Sequence, residues 1–151
     1  MKKYAICIGR EFCSGGREIG KMLAKRLGIA YYDEIELRDR SRDLGVEDGI
    51  FEMFDEQPTR SFLFSVVMDP YSIDSAVNSG RVLEAQRKVI ESATDEGPCV
   101  IVGRRADKIL EEKEDVEVIS VFIGADMEDR IDRFMQSDEE DKPRNVRRYI
   151  E

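Results

Sequence analysis

Histidine is absent from the 151 residues, and its absence removes Ser-His-Asp catalysis, Cys-His catalysis and imidazole metal sites. Cysteine is scarce. Cys7, Cys13 and Cys99 are scattered, odd in number and without Cys-x-x-Cys spacing, which fits a reducing, cytoplasmic setting rather than a disulfide framework. No long apolar run is present either: the N-terminal stretch Tyr4–Ile8 is too short for a signal or membrane segment. Basic residues are outnumbered, 24 Lys and Arg against 33 Asp and Glu, for a net charge of −9. A polyanion is repelled by most of such a surface, so neither nucleic acid nor membrane is an expected partner. Small anions can still bind where arginines gather locally.

The length suits one domain, 1–151, with a single sizeable core, and 41% apolar residues suffice to build it. Tyr4–Ile8 reads as a buried strand running into a glycine-bearing loop. From Gly16 the pattern turns helical, with Ile19, Met22, Leu23 and Leu27 on one expected apolar face and Gly28 at its C-terminal cap. Ile29–Tyr32 predicts a second strand, and Cys99–Val102 and Val118–Ile123 predict two further strands of the continuous apolar kind found in covered parallel sheets. Helical stretches between them predict a three-layer α/β/α fold around a doubly wound parallel sheet.

A long insert spans about residues 34–96. Its first part, Glu34–Leu44, is charged and helical in pattern. Its middle, Phe51–Tyr71, is rich in Phe and Met, broken by Pro58 and Pro70, and suits the insert's core better than a base-binding site. Its last part, Arg81–Thr94, predicts a helix with Val82, Val89, Ile90 and Ala93 on one face; Gln86 shares that face, as a satisfied core amide or as a polar group aimed into a pocket. Asp126–Met135 predicts another amphipathic helix with Met127, Ile131 and Phe134 inward and Arg130 and Arg133 away from that stripe.

Chemistry is most legible at Arg10-Glu-Phe-Cys-Ser-Gly-Gly-Arg17, between a strand and a helix N-terminus. Unpaired N–H groups and the helix dipole favour phosphate there. Gly15 and Gly16 allow close backbone approach, Ser14 can donate a hydrogen bond, and Arg17 supplies a cation. The spacing GxxxxGK[ST] is met in neither register of the two glycines.

The segment GREFCSGGREIGKMLAKRLGIAYYDEIEL resembles the opening of the cytidylate-kinase-like proteins, which run close to SREFGSGGREIG and then YYD. EGPCVIVGRRAD is similar to that family's second signature, and DKPRNVRRYIE, within a lid at about 137–151, to its arginine-bearing lid. Cys13 stands where the family usually has glycine. The resemblance implies a P-loop nucleoside-kinase-like sheet with four strands present and the fifth missing; either the chain is cut short or the sheet edge is completed differently. An uncovered edge could pair with a second copy of the chain.

What the resemblance implies for function is an ATP-dependent nucleoside monophosphate kinase, cytidylate by default, moving the γ-phosphoryl group onto a nucleotide or similar small acceptor. Mg²⁺ would arrive with ATP, since no protein cage for a metal is evident. Cys13, Ser14, Gly15, Gly16, Arg17 and Arg130 would bind ATP. Asp33, Gln86 and Arg104 would meet the acceptor, and Arg17, Arg104, Arg144 and Arg147 would stabilise the transferring group, with Arg133 a secondary candidate. Asp33 can equally be a helix N-cap, Arg104 and Arg105 surface cations, and Arg144–Arg148 a solvated helix face. The missing lysine and hydroxyl leave an alternative, a nucleotide-binding or regulatory module without catalysis. A third reading is an interaction domain that keeps the fold and has lost the site.

Overall fold

The computed structural model describes residues 3–46, 73–103, 105–137 and 142–151. Phe51–Tyr71, the Phe- and Met-rich middle of the insert, lies outside the described residues, as does Arg104. The described elements follow the order β1 (Lys3–Arg10), α1 (Gly16–Leu27), β2 (Ala30–Tyr32), α2 (Glu34–Asp43), α3 (Ile73–Asp95), β3 (Cys99–Val102), α4 (Ala106–Leu110), β4 (Val116–Ile123), α5 (Met127–Gln136) and α6 (Val146–Ile150). β1 extends past both ends of Tyr4–Ile8, and α3 starts eight residues ahead of Arg81. Val89, Ile90 and Ala93 are buried on α3, on the face that the periodicity marks.

All four strands are parallel, in the order β2-β3-β1-β4. Side chains alternate across a strand, so one strand feeds two cores. Ala5 and Cys7 of β1 and Cys99 and Ile101 of β3 pack with Leu37, Val89, Ile90, Ala93, Ala106 and Leu110. Ile6 and Ile8 of β1 and Val100 and Val102 of β3 pack with Ala24 of α1. Burial on both faces explains why β1 and β3 read as unbroken apolar runs. β4 departs from the expected cover on both faces: it is the last strand of the described sheet, and Ile119, Val121 and Phe122 are exposed on it.

Two faces expected from periodicity are corrected by packing. α1 turns Gly16, Gly20 and Ala24 to the sheet, while Ile19, Met22 and Leu27 are exposed. The reason is distance. A Cβ on Gly20 would lie 2.8 Å from Val102 Cγ2 and 3.2 Å from Ile8 Cδ1, so only small residues let the helix approach this closely. On α5 the buried pair is Arg130 and Phe134, which places Arg130 on the inward stripe and not away from it. Gly28 ends α1 as expected, with φ 65° and its N–H turned back to the Ala24 and Lys25 carbonyls.

Two glycines separate the competing effects of a methyl group. Gly20→Ala is expected to destabilise the fold by about 1–3 kcal/mol through overpacking. Gly80 sits within α3 with nothing among the described residues within 4 Å of an added Cβ, so Gly80→Ala is expected to stabilise by about 0.5–1 kcal/mol through helix propensity. Urea unfolding midpoints at constant m-value check both signs.

Candidate functional site

Parallel strands place their carboxyl ends together, so the segments after Arg10, Tyr32, Val102 and Ile123 share one end of the sheet. β1 lies between β3 and β4, neither of which follows it directly in sequence. Ligands of open α/β sheets bind at such a reversal of strand order. The loop from Glu11 to Gly15 occupies this position.

The loop is tied down from beneath. Glu11 N–H donates to the Ile123 carbonyl at 3.0 Å, and its Oε2 accepts from Ala125 N–H at 3.0 Å. Glu11 Oε1 lies 3.3 Å from Arg130 Nη1. Arg130 Nε donates to the Phe12 carbonyl at 2.8 Å, and Arg130 Nη2 donates to the Ile150 carbonyl at 3.0 Å. Arg130 therefore lies under the loop, buried and fully engaged by protein groups. Ser14 N–H closes the turn onto the Glu11 carbonyl at 3.2 Å.

Above these ties the backbone adopts left-handed conformations at Cys13 (φ 59°) and Gly15 (φ 83°). Cys13 takes a backbone conformation that suits glycine, the residue usual at this place in the resembling sequences. Gly15 is the N-cap of α1 and offers no side-chain cap, so the first-turn N–H groups of the helix have no side-chain acceptor there. Ser14 is buried, and its Oγ has no hydrogen-bond partner among the described residues. Over Gly15 lies the Arg133 guanidinium, 3.0 Å from where a Cβ would stand. Gly16 is pressed against Arg10, whose Cβ lies 2.7 Å from the equivalent point. An uncapped helix terminus, an orphaned buried hydroxyl and a guanidinium thus meet around two glycines, a set of donors without an acceptor among the described residues.

Arg17 points elsewhere. Its Nε is 3.8 Å from Asp33 Oδ2 and its Nη2 is 3.7 Å from Glu34 Oε2, with the side chain about half exposed. Asp33 is the N-cap of α2: Oδ1 accepts from Ile35 N–H at 2.8 Å, and Glu36 returns a carboxylate to Asp33 N–H at 3.2 Å. Its Oδ2 accepts from Tyr31 Oη at 3.2 Å on the side of Arg17. One oxygen caps the helix and the other faces the loop cation. Burial alone would raise the Asp33 carboxyl, but the hydrogen bonds from Glu36 and Ile35 and the nearby Arg17 hold it below its ordinary value. Glu36 is raised, first by sharing a hydrogen bond with Asp33 and then by burial. Burial and then Asp33 push the Tyr31 hydroxyl well above its ordinary range.

The other expected residues belong to α3 and to the segment that carries α6. Gln86 is half-buried on α3. Arg144 is exposed ahead of α6, and Arg147 on α6 pairs with Glu128 in the first turn of α5. Sequence reasoning ranked Arg133 second; its i+3 spacing from Arg130 was visible, but the tilt that lays it over Gly15 was not. It missed Glu11 and Arg10 altogether, although both stand inside the quoted motif.

The pattern that defines the cytidylate kinase-like family matches residues 5–151. The chain belongs to that family. Among solved structures it is similar to an uncharacterized protein from Eubacterium ventriosum ATCC 27560, with 25% identity and a TM-score of 0.54. The alignment covers 89% of this chain and 61% of that one, so this family member spans less than two thirds of its solved relative. No curated protein matches the chain.

Asp33→Ala is expected to cost about 1 kcal/mol at pH 7 through loss of the cap. Because the folded state lowers the Asp33 pKa from 3.8, that contribution is present at neutral pH and is lost as the carboxylate is protonated in acid. The stability gap between wild type and variant should therefore close as the pH falls below 3.8. Urea titrations at pH 7 and pH 3 measure it.

Proposed function

We propose that the chain is an ATP-dependent nucleotide kinase whose loop Cys13–Arg17 holds the donor's phosphates. One observation carries this reading: the buried Ser14 Oγ, without a partner among the described residues, beside the uncapped start of α1, with the Arg133 guanidinium over Gly15. A polyphosphate supplies what those groups lack, acceptor oxygens and negative charge. Family membership supports nucleotide-kinase-like chemistry, with cytidylate as the default acceptor.

In phosphoryl transfer an acceptor phosphate oxygen bonds to the γ-phosphorus as the bond to the β–γ bridging oxygen breaks, and ADP leaves. Negative charge spreads over the transferring oxygens, so the protein's work is positioning and charge neutralisation. Ser14, the amides of Gly15 and Gly16, and Arg133 would hold the donor. Arg17 and Asp33 stand on the side toward α2, where the acceptor would approach, and Arg104 belongs to the same reading through its place after β3. Arg144 and Arg147 would join from the lid segment, Arg147 by leaving Glu128. Mg²⁺ would come with ATP and neutralise its phosphates. Buried free thiols at Cys7 and Cys99 agree with a reducing, cytoplasmic setting.

A second reading is a nucleotide-binding module without turnover. It is favoured by the lack of a loop lysine and by Arg17 being held by Asp33 and Glu34. An assay for ADP release with Mg²⁺–ATP across a panel of nucleoside monophosphates separates the two. Turnover with cytidylate or another member of the panel supports the kinase. Binding of ATP without any turnover favours the module, and no binding of ATP refutes both.

For the donor site, Arg133→Ala is expected to weaken ATP binding by about 1.5–3 kcal/mol, roughly 10- to 150-fold in Kd, as read by calorimetry. If Arg133→Ala leaves Kd unchanged and Arg17→Ala raises it, the phosphates lie on the α2 side of the loop instead.

A further inference from the structure

We propose that Arg130 and Phe12 couple helix α6 to the phosphate loop, so that the seating of α6 and the geometry of the loop are one equilibrium. Arg130 is 7% exposed, and its three nitrogens are divided between two places. Nε and Nη1 hold the Phe12 carbonyl and Glu11 in the loop, and Nη2 holds the Ile150 carbonyl at the end of α6. A second contact runs in parallel. The Phe12 ring, carried by the loop, lies 6.0 Å from the Tyr149 ring of α6 and 5.9 Å from Phe134 of α5, and Phe134 lies 5.4 Å from Tyr149. The loop backbone and the helix thus share one guanidinium and one aromatic cluster.

The physical chemistry makes this sharing cooperative. A guanidinium buried to this degree is costly to leave partly unpaired. Lifting α6 removes the Ile150 carbonyl from Nη2 and one wall from the Phe12 ring. Arg130 then gains by turning toward water, which loosens its hold on the Phe12 carbonyl and Glu11. Cys13 already keeps the loop in a left-handed backbone conformation, and such conformations persist where their surroundings over-determine them. Arg130 is in this account a positioning residue, acting on the anion through the backbone it holds.

The part of this inference that concerns ligand rests on the proposed phosphate site; the part that concerns the loop and α6 does not. Amide hydrogen exchange of the full chain separates them, read over residues 10–19 and 146–151 in wild type, Arg130→Lys and Tyr149→Leu. Without ligand, Tyr149→Leu should speed exchange in residues 10–19, and Arg130→Lys should speed it in both segments, by about tenfold. β3 should be unchanged in both variants. Faster exchange at 146–151 with residues 10–19 unmoved in Tyr149→Leu overturns the coupling, as does loosening that extends equally to β3. Should Arg130→Lys fail to fold, Tyr149→Leu decides alone. With inorganic tripolyphosphate as probe, wild type should slow exchange in both segments, and Tyr149→Leu should bind the probe about tenfold more weakly. Slowing confined to residues 10–19 overturns the coupling. No slowing at residues 10–19 in wild type refutes the phosphate site, and the arm without ligand then judges the coupling.

Discussion

A guanidinium taken out of water must be met on every side, and in this protein that requirement organises the functional end of the sheet. Arg130 is answered by Glu11, the Phe12 carbonyl and the Ile150 carbonyl. Glu11 in turn reaches Ala125, and its N–H reaches Ile123. One buried cation therefore fixes the end of β1 to the end of β4 and to two helices. Removing it would leave Glu11 and two carbonyls short of a donor at once, which is why such a pair is far more expensive to break than to replace whole. The loop owes its shape to these ties as much as to its glycines.

The glycines do a different task, set by distance. Gly20 brings α1 within reach of Val102 and Ile8, and Gly16 lets the first turn lie against Arg10. Together they lower the helix terminus toward the strand ends. Gly15 adds a left-handed backbone and the space into which Arg133 leans. Cys13 shares the left-handed geometry without glycine's freedom, a local cost of about 1–2 kcal/mol. A loop that bears strain, an orphaned hydroxyl and a cation in the same few residues has the imbalance expected of a binding site rather than of a finished core.

Much of this was readable from the chain. Continuous apolar runs announced the parallel strands, although of Cys99–Val102 and Val118–Ile123 only the first is covered on both sides, and the strand, glycine loop and helix after Tyr4 were legible as a unit. Hydrophobic periodicity failed on α1, because it weighs large apolar residues and the contact there is made by the smallest ones. It failed on α5 for the opposite reason: a buried arginine looks like a surface residue until its partners, 118 and 20 residues away in sequence, are brought to it. Asp33 was legible as a cap from its place before a helix, but its second oxygen, turned toward Arg17, depended on how β2 sits beside α1. Side-chain roles set by local sequence could be read. Those set by long-range approach could not.

Charge places a last constraint on the proposed site. With 24 basic against 33 acidic residues, the protein as a whole repels a nucleotide, and at physiological salt that field fades within about 8 Å. Attraction must therefore be short-ranged. Under the proposed reading it comes from groups held around one loop: the buried Ser14 Oγ, the first amides of α1 and the Arg133 guanidinium over Gly15. Such donors gain little from distance and much from exact placement, since a hydrogen bond to a charged group loses most of its value when its angle or length is wrong. This returns the weight of the argument to the ties beneath the loop. Under the proposed reading, the affinity of an acidic protein for an anion depends on how rigidly the loop is held, and Arg130 holds its Phe12 carbonyl and Glu11.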